Sequence, residues 1–285
     1  MSRPRAVKIV EERADGPPLD RGLRITVHFH PGLVSNGRTV LEHLATDRTY
    51  RTQFETGTSN GGLTAHRRGD RWHWEHRMFA GVYDAEPAAV RPRYGALNHR
   101  RREIGAAPRF GSAHLRLAAH VLDRATFCFP DSVFEPPGLA TAHRFGLWPA
   151  IAEFEARTRD DLGERTDGGL LDDYVEAHVH GGLDLDTDVE ALVLDPAHSG
   201  TPTEQTALRL GVGLEWHRGF RVHLDTLAQH PDFRGPEVIG LARRIARHGW
   251  VDPVILETAR RQGRHDVQHL KLLWHCVARF GGDWT

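Results

Sequence analysis

Cysteine is scarce in this 285-residue chain: Cys128 and Cys276 are the only two. Two thiols cannot build the disulfide framework of a small secreted scaffold, and neither sits in a paired metal-binding motif, so a reducing compartment is the expectation. Lysine is equally rare, with only Lys8 and Lys271, and arginine carries the positive charge. That skew, with abundant Ala, Gly and Pro, points to a GC-rich bacterial genome before it points to function. Net charge is nearly absent as well, at −1, so no global field draws the chain to nucleic acid or to an anionic membrane. No stretch approaches the roughly 18–20 apolar residues of a membrane span. The charged residues 1–18 lack the apolar run of a secretory signal. Internal repeats and low-complexity segments are missing too. The expectation is a cytoplasmic protein with no membrane partner.

What is present is ordinary globular composition, 39% hydrophobic and 26% charged, over a length that suits one large domain or a core with an appended module. Residues 1–20 read as a flexible leader, broken by Gly16-Pro17-Pro18. Residues 21–225 carry the strand signals and form an α+β catalytic-type domain. Tyr50–Thr58 is expected as a strand running into a turn rich in hydroxyls and glycine. From 226 to 285 the pattern becomes helical: Pro236 opens one helix, Asp252-Pro253 a second, and Asp266 caps a third.

Two stretches alternate with strict period two. In Arg24–His30, Ile25, Val27 and Phe29 face one way while Thr26, His28 and His30 face the other. In Tyr174–Gly182, Val175, Ala177 and Val179 oppose Tyr174, Glu176, His178 and His180. Such alternation predicts a strand with one face on a core and one face in solvent or a cleft. A carboxylate and two imidazoles on one face is more than a strand needs in order to fold. Three uses compete for these residues. Two His-x-His strands, His28/His30 and His178/His180, form a metal-hydrolase alternative. Against it, too little chain follows Gly182 for the strand–helix units of a barrel. The second use is cleavage of a sugar–base bond, in which the Glu176 carboxylate stabilises positive charge on the ribose. The third is a non-catalytic binding domain on the same cleft.

The strings Phe54-Glu-Thr-Gly-Thr-Ser-Asn-Gly61, Arg93-Tyr-Gly-Ala-Leu97, Arg124-Ala-Thr-Phe127 with Asp131-Ser132, and Tyr174-Val-Glu-Ala-His-Val-His-Gly181 resemble those of an uncharacterised bacterial family of unknown function, over about residues 20–196. Through the last string that family resembles the ADP-ribosyltransferases. The resemblance implies a curved, mostly antiparallel split sheet around a cleft, with the helical module appended. It implies NAD as substrate, no metal, and a protein, nucleic-acid or small-molecule acceptor. Carried over position by position, His28 or His30 takes the first-strand role, Thr58 and Ser59 the hydroxyl role, and Glu176 the catalytic role. Tyr94 is expected to stack on nicotinamide, and His178 to join the cofactor-binding set. One departure stands out. Many arginine-modifying transferases place Gln or Glu two residues before the catalytic Glu, and here Tyr174 holds that position. Read in the other register, Glu176 is the upstream acid and His178 occupies the catalytic place.

Overall fold

A computed structural model describes residues 3–57, 64–158 and 171–282. Both alternating stretches are strands, Ile25–Phe29 (β1) and Val175–Val179 (β6), and they lie near the middle of one eight-stranded sheet. The others are Arg93–Leu97 (β2), Ala113–Leu117 (β3), Ala125–Cys128 (β4), Leu139–Thr141 (β5), Val189–Leu194 (β7) and Gly213–Trp216 (β8). Their order is β8-β7-β3-β1-β2-β6-β4-β5, and only the β7–β8 pair is parallel. The architecture is therefore α+β with a large, mostly antiparallel sheet.

One face of the sheet is apolar. Ile25, Val27, Phe29, Leu97, Leu115, Val175, Ala177, Val179 and Phe127 belong to one buried cluster, which also takes in Leu41, Leu44, Phe145 and Ile151. The opposite face carries Thr26, His28, Tyr94, Glu176, His178, Thr126 and Cys128, as period-two geometry requires once the register is set. This polar face is not open to solvent: every residue of β1 and β6 is buried. It is covered by the Asp70–Met78 helix and by the loops around residues 104–112 and 131.

Strands β1 and β2 register through only two pairs, Ile25↔Leu97 and Thr26↔Ala96. On their far sides β1 continues along β3 to Phe29, and β2 pairs with β6 over its whole length. The two strands thus part beyond Thr26 and Ala96, leaving a wedge between them. At the last closed turn Gly95 is required: a Cβ there would lie 2.8 Å from the Thr26 carbonyl oxygen.

Two expectations are corrected. The first residues are no flexible leader, because Arg5–Arg13 is a helix whose Ala6, Val7 and Val10 are buried. Ala6 and Val10 join Trp74, Phe79, Tyr83 and Cys128 in a compact apolar cluster, which supplies the burial a short charged helix needs. Within the expected strand Tyr50–Thr58, the described residues 50–57 are no strand either. Thr52 and Glu55 form a reciprocal capping box that winds Gln53–Thr56 into one helical turn. The C-terminal helices fall where their caps predict, at Pro236–Ile245, Pro253–Arg261 and Val267–Phe280. Their apolar cluster begins at Phe220 and takes in Ile104 and Leu171 from the sheet-bearing part. Among the described residues no helix is long and apolar enough to cross a membrane.

Candidate active site

The wedge between β1 and β2 opens into a cleft of about 430 Å³. Its lining includes Thr26, His28 and His30 from the first strand and its end, Tyr94 and Ala96 from β2, and Tyr174 and Glu176. The two alternating stretches that stand out in the sequence therefore meet around one space. Glu176 is placed there by its register, opposite Ala96 on one side and Cys128 on the other.

Burial alone would raise the pKa of Glu176, but a hydrogen bond from His178, the nearby Arg71 guanidinium and the Ser132 hydroxyl outweigh it and hold the carboxyl below its ordinary value. Arg71 comes from the first turn of the Asp70–Met78 helix. It donates to Ser132 Oγ at 3.2 Å and lies 4.0 Å over the Tyr94 ring. Only 3% of it is exposed, and among the described residues its Nε has no hydrogen-bond partner. Behind Tyr94, Glu75 accepts from the Tyr94 hydroxyl at 2.9 Å and from Arg91 at 2.5 Å. Burial pushes Glu75 up to about 7, against the pull of Arg91. Asp131, also on the cleft wall, accepts from the Tyr174 hydroxyl and from the Val133 N–H. Burial and the Glu176 charge raise its pKa.

Each expected residue can now be placed. Glu176 is on the cleft floor. His28 lines the cleft, yet its ring nitrogens are already occupied: Nδ1 donates to the Gly111 carbonyl at 3.2 Å and Nε2 accepts from the Ala107 N–H at 3.2 Å. It can shape the wall but has no ring nitrogen left for a ribose. Among the described residues His30 has no hydrogen-bond partner for its ring nitrogens, and it packs on Trp274 at 4.9 Å. Its pKa falls to about 3 through burial, with the Arg260 charge adding to the shift, so the ring is neutral. Tyr94 lines the cleft, but its hydroxyl serves Glu75 and one ring face is covered by Arg71, so the expected stacking face is partly taken. His178 lies behind Glu176 and not on the cleft, with both nitrogens engaged, which removes it from the ligand-contacting set. Thr58 and Ser59 lie outside the described residues.

The four strand histidines do not converge on one point. His28 packs 5.0 Å from His114, whereas His178 and His180 pack against Phe79 at 5.7 and 4.9 Å. Among the described residues, the set of three donors that does come together is Cys128, Glu176 and His178. Sequence reading missed Arg71, Ser132, Thr126, Tyr83, Asp131 and Glu75 as parts of the site. The strings Arg124–Phe127 and Asp131-Ser132 contain three of these, but nothing in their spacing points to Glu176.

The chain belongs to the DUF3626 family, described as a protein of unknown function, which matches residues 24–159 and 149–280. Among curated proteins, none matches this sequence.

Proposed function

We propose that this DUF3626 member transfers ADP-ribose from NAD to an acceptor nucleophile, and hydrolyses NAD when water takes the acceptor's place. The observation that carries this reading is a buried carboxylate, Glu176, held ionised on the floor of a cleft that opens where β1 and β2 part. In the reaction the bond between ribose C1′ and the nicotinamide nitrogen breaks, and its electron pair leaves with nicotinamide. A new bond forms from C1′ to the acceptor, which gives up a proton. Positive charge builds on the ribose ring in between. A fixed anion that accepts a hydrogen bond from the 2′-hydroxyl stabilises that charge without reorganising. Glu176 takes this role, His30 offers a neutral ring nitrogen to the ribose, and His28, Tyr94 and Ala96 form the walls. The Glu176→Gln variant keeps the shape and removes the charge, so nicotinamide release from NAD is expected to fall by about 100-fold or more. Wild-type turnover in that variant would overturn the assignment.

A second reading, metal-assisted hydrolysis, draws on Cys128, Glu176 and His178, whose donor atoms lie within 4.8 Å of one another. A thiolate, a carboxylate and an imidazole suit a zinc-type ion. Near-stoichiometric zinc in purified protein, lost in Cys128→Ser, would favour it over NAD chemistry.

A further inference from the structure

Four arginines are among the residues that line the cleft, Arg51, Arg71, Arg93 and Arg260. Three are already committed. Arg51 pairs with Asp47 at 2.8 Å, Arg71 donates to Ser132 at 3.2 Å and faces Glu176, and Arg93 donates to the Tyr50, Arg91 and Gly181 carbonyls. Arg260 has no hydrogen bond and no ion pair among the described residues, and no carboxylate offsets the partial burial that lowers its pKa. It belongs to the last turn of the Pro253–Arg261 helix. A last-turn arginine suits its helix dipole whichever way it points. What sets Arg260 apart from its neighbour Arg261, which donates to Thr258 at 3.3 Å, is that it lines the cleft. Its charge also reaches His30, which lines the same cleft and has no hydrogen-bond partner for its ring nitrogens among the described residues.

The cleft is polarised as a result. Its lining carboxylates among the described residues are Asp131 and Glu176, and the Glu176 charge acts on Asp131, so both lie at one end. Thr26, Ala96 and Glu176 stand in one row across β1, β2 and β6. His30 follows Thr26 along the chain, about 13 Å further on at the rise of a strand. At that end stands a cation with no counter-ion, beside a neutral imidazole, in a space partly withdrawn from water. Attraction for an anion is stronger there than on an open surface. A guanidinium also presents a planar fork that matches two phosphate oxygens at once. We propose that Arg260 is the phosphate-binding residue of this cleft, so that the helical C-terminal module completes a substrate site whose other end is Glu176. For the identity of the substrate the inference rests on the NAD reading, with the ribose at Glu176 and its diphosphate running along β1 towards Arg260. A ribose alone does not bridge that span; a ribose extended by a phosphate chain does. Arg260 therefore selects the phosphorylated substrate over the bare nucleoside and touches no reacting atom.

The test compares nicotinamide release from NAD and from nicotinamide riboside, which presents the same bond without a phosphate, using the full-length protein. In Arg260→Ala the KM for NAD is expected to rise about 10- to 100-fold with kcat nearly unchanged, the size of a lost hydrogen bond to a charged group. Nicotinamide riboside should be cleaved as by wild type. Arg260→Lys should recover part of the KM. Arg264→Ala, which removes an exposed arginine of the same module away from the cleft lining, should behave as wild type. Calorimetry with inorganic diphosphate reads the anion site without the reaction: binding to wild type is expected, and its loss in Arg260→Ala. Equal losses for NAD and nicotinamide riboside would overturn the inference. So would diphosphate that wild type does not bind, or that wild type and Arg260→Ala bind equally. NAD turnover with an unchanged KM in Arg260→Ala would overturn the phosphate site and leave the NAD reading standing. Arg260-dependent diphosphate binding without NAD turnover would sink the NAD reading alone.

Discussion

Arg71 is the residue on which the charge of the site turns. It faces Glu176 from the covering helix and is buried, with Ser132 accepting from its guanidinium and the Tyr94 and Trp74 rings against it. A buried cation and a buried anion at short range each keep the other ionised, and removing one leaves the other as a cost. Arg71→Met, which keeps the bulk over Tyr94, is therefore expected to raise the Glu176 pKa and to cut nicotinamide release by at least about 10-fold, checked by steady-state kinetics across pH. A variant as active as wild type at acid pH would refute that role. Glu176 itself is legible in the sequence because alternation sets it, with two histidines, on one strand face. Its real partners are not. Arg71 lies more than a hundred positions earlier, on a helix where aromatic and charged residues occur all round. Thr126 and Tyr83 look like unremarkable residues of a strand and a turn. The two histidines were legible as a pair but not in their use, because residues two apart on a strand face can bond each other: His178 meets Glu176 and not a ligand.

At the scale of elements, the strands and the capped C-terminal helices follow from local pattern, and the misread segments have specific causes. The Arg5–Arg13 helix hides its signal because only Ala6, Val7 and Val10 are fully buried, and the rest apart from Ile9 is charged. Its burial is decided by Trp74 and Phe79, which no local window contains. Thr52-x-x-Glu55 is a capping-box spacing visible in the sequence, outweighed there by the strand-like run around Tyr50. The wedge between β1 and β2 has no sequence signal beyond Gly95, since register is a property of two strands and a glycine marks only that something approaches closely. That approach can be tested. In Gly95→Val the new side chain would press on the Thr26 carbonyl and on the Ile25 and Val27 methyls, all within 3.1 Å of the new Cβ. Overpacking of this kind costs about 1–3 kcal/mol. The expected result is a lower urea midpoint together with weaker NAD binding by calorimetry, because the last closed pair of the wedge moves. Unchanged affinity would show that the cleft does not depend on where the ladder parts.

Across the whole molecule, the buried titratable groups divide into two opposed sets, and their balance fixes how stability follows pH. Burial, as the largest cause in each case, lowers His28, His30 and His275 to about 3, and His99 and His198 to about 4. Below about pH 6.5 the unfolded chain protonates these rings while the folded chain does not, so stability falls as the solution is acidified. The raised carboxyls act the other way. Glu75 and Glu257 are pushed up to about 7 and Asp195 to about 6, again chiefly by burial. The folded chain keeps their protons where the unfolded chain has released them, so stability falls as pH rises from the ordinary carboxylate range to about 7. Five histidines oppose three carboxyls; Asp131, also raised, adds to the carboxyl side, and His114, His178, His180 and His217, also lowered, add to the histidine side. The unfolding free energy is therefore expected to peak near pH 6.5 and to fall on acidification to pH 5, by about 1.4 kcal/mol per pH unit for each uncompensated proton. Urea titrations at constant ionic strength measure it, and greater stability at pH 5 than at pH 6.5 would contradict the balance. Glu257 separates the two sets. Its carboxylate accepts from the Gly32 N–H at 2.9 Å, tying the Pro253–Arg261 helix to the turn that follows β1. Glu257→Gln preserves an acceptor there and has no proton to hold, so it removes one group that offsets the histidines below about pH 7: stability should fall more steeply than in the wild type on acidification from pH 6.5 to 5, and the loss between pH 6.5 and 7 should shrink.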